Sequence, residues 1–252
     1  MTEITQHVAG TPSWVDIGSP DIAASLAFYS GLFGWVGDDL GEEAGHYTMC
    51  LLRGKPVAAI GPAQNPGPPV WTTYFTVDDT DASAKLIADA GGTIVVEPMD
   101  VMEAGRMAVA QDPTGAFFSI WQPRASIGAE IVNEPGALCW NELNTRDVDT
   151  ALTFYERVFG FTTSRSPEYN ELQLDGRSVA GCMTTPEQVP AEVPNHWLVY
   201  FAVDDTDAAC ARARELGATP MDPIDIPDVG RFAVIIDPLG AAFAVIKMTT
   251  LT

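Results

Sequence analysis

The chain repeats one long pattern of residues at a constant spacing. WTTYFTVDDTDA at 71–82 returns as WLVYFAVDDTDA at 197–208, and Trp14 and Trp140 lie the same 126 residues apart. Because the shared register extends over most of each half, it indicates a duplicated folding unit rather than a short motif. The sequence therefore predicts two domains of the same fold, each with its own core.

The repeat predicts domain boundaries at 11–123 and 137–249, with a polar linker at 124–136 that contains Pro and Gly. Each copy is then close to the commonest domain size. The chain is 46% hydrophobic and 19% charged, as expected of a globular protein. No apolar run approaches ~18 residues and the first residues do not resemble a signal peptide. We expect a cytoplasmic protein that does not span a membrane.

Charge and cysteine content restrict the partners. The formal net charge of −21 disfavours nucleic acids and anionic membranes as partners. It would suit a cationic ligand, although an acidic surface that only keeps the protein soluble is the stronger explanation. The four cysteines form no CxxC pair and differ in position between the copies, which favours buried reduced thiols. We expect a small-molecule ligand, and either a monomer with internally paired domains or a homodimer.

Hydrophobic spacing predicts the elements of each copy. Residues Ile22, Leu26, Tyr29 and Phe33 form a helical stripe that Gly34 ends. Two strands follow and meet in a hairpin at 53–55. A strand at 71–77 comes next. The acidic residues that follow this strand cap a helix, and further strands complete the copy. Because both halves of a copy start with a strand and a helix, a second duplication is nested in the first, and the fold class is α+β.

These residues resemble the vicinal oxygen chelate superfamily, which includes glyoxalase I, bleomycin-resistance proteins and extradiol dioxygenases. The resemblance rests on the order of three features: the helix pattern D-x-x-x-S-x-x-F-Y-x-x-x-L-G-F, the F-x-V-x-D strand end, and the D-P-x-G turns at 112–115 and 237–240. It implies two βαβββ modules per copy, whose strands form an open, mixed half-barrel sheet with the helices outside.

The resemblance also indicates where a metal would bind. Metal-binding members of the family have two His and one Glu at positions that correspond here to Trp14, Thr72 and Ser119 in copy one and to Trp140, Leu198 and Ala244 in copy two. None of the six is a family ligand. We therefore expect no metal and no cofactor. The remaining alternative is an atypical site in which Asp16 or Glu142 is joined by a nearby His.

Strand alternation places a set of side chains on the face that would carry the metal. The candidate ligand-binding residues are Trp14, Tyr74, Ser119 and Trp121 in copy one and Trp140, Asn144 and Tyr200 in copy two. Aromatic walls with a few polar groups are typical of small-molecule pockets. The alternative is that the tryptophans only fill a disused metal cavity.

Four charged residues are candidates for chemistry. Asp16 and Glu142 occupy equivalent positions on this face, where desolvation would raise their pKa values toward the range of a general base. Arg106 and Arg231 each follow a Gly and could anchor a carboxylate or enolate, or simply pair with surface acids.

Three functions remain open. The first is a bleomycin-resistance-like protein that binds a small aromatic or cationic molecule in a Trp-lined cavity without the usual metal. The second is an enzyme of the same superfamily, a lyase, isomerase or oxygenase (hydroxylase) acting on a small carbonyl or phenolic substrate. The third is a structural or interaction protein.

Overall fold

The computed structural model describes residues 4–64, 67–167 and 169–249 and has an α+β fold in two copies. The first copy contains β1 (Pro12–Ser19), α1 (Ile22–Phe33), β2 (Val36–Asp39), a 3-10 turn (Glu42–Ala44), β3 (Thr48–Leu52), β4 (Lys55–Pro62), β5 (Val70–Thr76), α2 (Thr80–Asp89), β6 (Thr93–Val101), β7 (Gly105–Gln111) and β8 (Phe117–Pro123).

The second copy follows the same order. It contains β9 (Leu138–Thr145), α3 (Val148–Phe159), β10 (Thr162–Arg165), β11 (Asn170–Leu174), β12 (Arg177–Thr184), β13 (His196–Ala202), α4 (Thr206–Glu215), β14 (Thr219–Pro220), β15 (Ile224–Ile226), β16 (Gly230–Ile236) and β17 (Ala242–Met248).

Each copy builds one mixed sheet from two βαβββ modules. The first sheet has the order β2-β3-β4-β1-β5-β8-β7-β6, and the second has the order β10-β11-β12-β9-β13-β17-β16-β14. In the first sheet, β1 is parallel to β4 of its own module and antiparallel to β5 of the other module. The predicted fold class and the nested duplication are therefore confirmed.

Local sequence explains where the elements begin and end. The Asp21 side chain accepts a hydrogen bond from the backbone N–H of Ala24 and so caps α1. Gly34 ends the same helix in the left-handed conformation, with φ of 74°. In the first D-P-x-G turn, the Asp112 carboxylate accepts bonds from the backbone of Thr114 and Ala116, which fixes the turn before β8.

Two features of the fold differ from the sequence-based expectation. The residues alone did not predict β2, because all four of its residues are exposed and no apolar alternation marks it. The linker 124–136 is not simply a polar connector. Ala129 is fully buried and its backbone N–H bonds to Ser13, while Ile131 is buried in the core.

The two copies share their cores. Phe33 of α1 packs against Phe201 of the second sheet, with 5.1 Å between ring centroids. The Tyr29 hydroxyl donates to the Asp237 carboxylate at 2.9 Å, across the domain boundary. The second copy makes the reciprocal bond, from Tyr155 to Asp112 at 3.0 Å. We call these two bonds the clasp. The helix tyrosines and the D-P-x-G aspartates of the sequence motifs thus join the domains.

The described residues also bear on the membrane and cysteine expectations. None of their helices has the length and apolar character needed to cross a bilayer. All four cysteines are free thiols, and Cys50, Cys182 and Cys210 are buried while Cys139 is partly exposed.

Candidate functional site

One face of each sheet packs on the helices, and the other face carries the candidate residues. In the first sheet Trp14, Tyr74 and Trp121 form one cluster, whereas the neighbouring Phe75 packs in the core on the opposite side. We call the face with Trp14 the first site face and its equivalent around Trp140 the second site face. Side-chain alternation along the strands accounts for this separation.

Asp16 lies at the centre of a hydrogen-bonded group on the first site face. The phenols of Tyr74 and Tyr47 both donate to its Oδ2 atom, at 2.8 Å and 3.0 Å. The indole N–H of Trp14 donates to the Tyr47 hydroxyl at 3.1 Å. The Trp121 indole donates instead to the backbone carbonyl of Ser126, and this bond fixes the position of its ring on the face.

The environment of Asp16 favours its neutral form. Burial raises the pKa of Asp16 to about 6, and the hydrogen bonds from Tyr74, Tyr47 and Thr72 oppose this shift only in part. Burial also raises the pKa values of Tyr47 and Tyr74, and the neighbouring Asp16 charge adds to that effect. The phenols are therefore donors at neutral pH, and Asp16 is a carboxylate that can still take up a proton.

The second site face repeats the arrangement with a longer carboxylate. The Tyr200 phenol donates to Glu142 Oε1 at 2.9 Å, and the Asn144 amide donates to the same atom at 3.3 Å. The Trp140 indole donates to the Tyr169 hydroxyl at 2.8 Å. Burial raises the pKa of Glu142, and bonds from Tyr200, Tyr169 and Asn144 oppose the shift.

Tyr47 and Tyr169 are site residues that the sequence analysis missed. They lie 122 residues apart, out of register with the 126-residue repeat, because the loop before each is of different length. Both come directly before equivalent strands, β3 and β11, in the similar segments YTMCLL and YNELQL. Aligning these segments with a gap would have paired the two tyrosines.

The structure does not bring Arg106 or Arg231 into either group. Arg106 bonds to Asp81 and Asp100, and Arg231 makes the corresponding bonds to Asp207 and Asp225. Arg106 alternates with Met107, which packs against the Trp14 cluster, so the guanidinium lies on the opposite face. The expected role as an oxyanion partner of Asp16 therefore finds no geometric basis.

Two surface hollows lie apart from both site faces. One, of about 310 Å³, is lined by residues of α1, β2 and the loop at His46, and the other, of about 400 Å³, lies between α3 and the turn at Pro113. Neither is lined by Asp16 or Glu142.

The donor set of the described residues does not fit a metal of the kind the fold family implies. Trp14, Thr72 and Ser119 stand where His and Glu ligands would converge, and an indole, a threonine and a serine are poor ligands for Mn, Fe or Zn. The histidines do not compensate, since His7 bonds to Ala129, His46 to Asp39 and His196 to Pro194. Over the described ranges, no three His, Cys, Asp or Glu side chains are grouped to hold an ion.

Comparison with known sequences gives consistent relatives over nearly the whole chain. The family model described as the Glyoxalase/Bleomycin resistance protein/Dioxygenase superfamily matches residues 7–120 and 127–245. The CFP32 protein of Mycobacterium tuberculosis, whose name assigns it provisionally as a glyoxylase, is 45% identical, with 98% of each chain covered. The anthracycline biosynthesis protein DnrV of Streptomyces peucetius is 40% identical, with 97% of this chain and 96% of DnrV covered.

Solved structures show the same fold at low sequence identity. The Mn(II)-bound glyoxalase from Novosphingobium aromaticivorans matches with a TM-score of 0.69 and 18% identity, covering 97% of this chain and 86% of the glyoxalase. The 2,3-dioxygenase LapB from Pseudomonas sp. KL28 matches with a TM-score of 0.65 and 15% identity, covering 98% and 93%. At this identity the likeness concerns the fold alone.

Proposed function

We propose, from the premise that the chain belongs to the Glyoxalase/Bleomycin resistance protein/Dioxygenase superfamily, that it binds a small planar aromatic molecule on its site faces. The ligand carries an ammonium or hydroxyl group that donates to a buried carboxylate, and binding uses no family metal. The partner of this chain is therefore a small molecule. We propose the cytoplasm as the compartment in which the chain binds it.

The observation that carries the proposal is a carboxylate set among aromatic rings, with no cationic side chain acting on it within the described part of the chain. Asp16 accepts hydrogen bonds from two neutral phenols, and Trp14 and Trp121 lie in the same cluster. A buried charge without a counter-ion is costly, so a ligand that supplies a donor or positive charge gains free energy there. Flat aromatic side chains add stacking and cation–π contacts.

Two further facts support an aromatic, donor-bearing ligand. The net charge of −21 attracts cations to the molecule as a whole. The relative DnrV is named for anthracycline biosynthesis, and that name is consistent with an aromatic ligand.

Titration calorimetry with three probes tests the proposal. We expect 9-aminoacridine, a planar cation, and 7-hydroxycoumarin, a planar phenol, to bind more tightly than coumarin, which lacks a donor. Asp16→Asn combined with Glu142→Gln should weaken 9-aminoacridine binding at least about tenfold, because charge-assisted hydrogen bonds contribute about 1.5–3 kcal/mol. Added salt should weaken binding of the cation alone.

The proposal fails if neither donor-bearing probe binds better than coumarin. It also fails if the double amide variant, shown to be folded by circular dichroism, binds all three probes as the wild type does.

A second candidate function is proton transfer by Asp16 as a general base. The observation in its favour is the pKa of Asp16, raised to about 6 by burial, next to two phenols that can stabilise a developing enolate. The relative named as a glyoxylase is consistent with a carbonyl substrate.

Proton exchange distinguishes the enzyme from the binder. The enzyme exchanges the methylene protons of 2-hydroxyacetophenone with D₂O, and Asp16→Asn slows this exchange by about 10²–10⁴-fold without weakening binding. A binder shows no exchange above the rate in buffer, as followed by proton NMR.

A further inference from the structure

The two site faces differ at the position where the family would carry its acidic metal ligand. Ser119 occupies this position in the first sheet, beside Tyr74 on the neighbouring strand, and Ala244 occupies it in the second, beside Tyr200. Ser119 is fully buried, and its hydroxyl has no partner with good hydrogen-bond geometry among the described residues, although its interaction with the Tyr74 phenol opposes part of the rise in the pKa of Tyr74. Ala244 offers no polar atom.

The two carboxylates differ in their third donor. Both phenols on the first face donate to Oδ2 of Asp16, and the Thr72 hydroxyl is a further donor to this carboxylate. On the second face, the phenols of Tyr200 and Tyr169 are joined by the Asn144 amide as the third donor to Glu142, at the position that Gly18 occupies in the first copy. Leu198 stands at the position that corresponds to Thr72, so an apolar side chain replaces a hydroxyl beside Glu142.

The first face therefore carries a partly exposed carboxylate, whose two phenol donors both bond to Oδ2, and a buried hydroxyl without a well-placed partner among the described residues. The register places Asp16 opposite Thr72 on one side of β5, and Ser119 opposite Tyr74 on its other side. A buried hydroxyl without a partner costs free energy, which a ligand atom bonded to it would recover. The Asp16 carboxylate accepts a hydrogen bond from a donor group of the ligand, and the Ser119 hydroxyl donates one to an acceptor group of the ligand.

We propose that the first site face is the ligand site of this chain. Its ligand is a planar aromatic molecule with a hydroxyl group that donates to Asp16 and a carbonyl oxygen that accepts from Ser119. Ser119 is thereby a specificity-determining residue, and the second face, where Glu142 is buried and Ala244 has no polar side-chain atom, has a structural role. This inference rests on the proposed binding function and names the ligand class and the copy that binds.

Removing the hydroxyl of Ser119 and, separately, adding one at Ala244 tests the inference. We expect 7-hydroxycoumarin, which has both groups, to bind the wild-type chain at one molecule per chain in calorimetric titrations. Ser119→Ala should weaken this binding about fivefold, the equivalent of one neutral hydrogen bond. Ala244→Ser should leave the affinity unchanged, whereas Asp16→Asn should weaken it. Urea unfolding of each variant provides the folding control, and Ser119→Ala should unfold no earlier than the wild type.

The outcomes separate this inference from the proposed function. If 7-hydroxycoumarin binds but Ser119→Ala leaves its affinity unchanged, or if Glu142→Gln rather than Asp16→Asn weakens binding, the inference is overturned while the binding function stands. If neither 7-hydroxycoumarin nor 9-aminoacridine binds better than coumarin, the binding function fails and the inference fails with it.

Discussion

At the residue scale, the candidate site is a carboxylate held by phenols, which are in turn held by an indole. The indoles of Trp14 and Trp140 are held in position, since each donates a hydrogen bond to a tyrosine that lies beside the carboxylate. The sequence could predict that Trp14 and Asp16 share a face, because alternation along one strand is local. It could not predict Tyr47, whose contact with Asp16 depends on the order β3-β4-β1 in the folded sheet.

Asp16 should make the stability of the protein fall as the pH rises. Because its pKa is raised to about 6 in the folded state, the fold favours the protonated form. Its stabilising contribution is complete below about pH 4, the pKa of an unfolded Asp, and is lost as the pH passes through about 6. We expect Asp16→Asn to be about 1–2 kcal/mol more stable than wild type at pH 7 and equal to it at pH 4.

Urea unfolding at the two pH values measures this difference. Equal stabilities of Asp16→Asn and wild type at both pH values would mean that the carboxylate is not desolvated. The expected gain is below what a pKa of about 6 would give for a fully enclosed group, because Asp16 retains some contact with solvent.

A single glycine fixes the position of the second tyrosine. A Cβ atom at Gly181, opposite Glu142 on β12, would clash with the Tyr169 hydroxyl. The first copy has Ala59 at the equivalent position, opposite Asp16. Gly181→Ala should therefore displace Tyr169 and cost about 1–3 kcal/mol through overpacking. The matched control, Ala59→Gly, should cost no more than about 1 kcal/mol.

The indole N–H resonance of Trp140 reports the displacement directly. We expect it to shift in Gly181→Ala, because its bond to Tyr169 is lost, and to stay in place in Ala59→Gly. An unchanged Trp140 resonance in Gly181→Ala would contradict the assigned contact.

At the element scale, the repeat and the local capping signals predicted the helices, the hairpin and the turns. Asp21, Gly34 and Asp112 determine their elements through contacts within a few residues, which is why the sequence alone sufficed. The residues alone did not predict the exposed strand β2, which only the family resemblance implied, and nothing predicted the buried part of the linker. Ile131 is buried through contacts with both copies, and no local pattern encodes such contacts.

At the scale of the whole molecule, the two copies pack against each other through shared core residues. Core residues of α1 pack with residues of β13 and β17, and the clasp pairs Tyr29 with Asp237 and Tyr155 with Asp112. The indoles of Trp71 and Trp197 donate to these same tyrosines. Sequence motifs indicated that these residues matter, but only the arrangement of the two copies shows that they bridge domains.

Removing a clasp hydroxyl should destabilise both copies together. Tyr29→Phe leaves Asp237 and the Trp71 indole each without one buried partner, so we expect a loss of about 1–3 kcal/mol in the free energy of unfolding. Tyr155→Phe should cost a similar amount, and Thr11→Ala, at an exposed hydroxyl, less than about 0.5 kcal/mol. Denaturant unfolding followed by fluorescence should show one transition. Two separated transitions would show that the copies unfold independently.

The purified chain should also retain no transition metal. The six positions that carry ligands in metal-binding family members hold Trp, Thr, Ser, Leu and Ala here. We expect elemental analysis after dialysis against a chelator to find far less than one Mn, Fe, Zn or Ni per chain. About one equivalent that survives dialysis would reveal a site built from other residues.

A crystal structure of the protein with 7-hydroxycoumarin tests the ligand site most directly. We expect the ring on the first site face in contact with Trp14, its hydroxyl within hydrogen-bonding distance of Asp16 Oδ1 and its carbonyl oxygen within that distance of Ser119 Oγ. Density for the probe on the second site face, or in one of the surface hollows with Asp16 unchanged, would contradict this assignment.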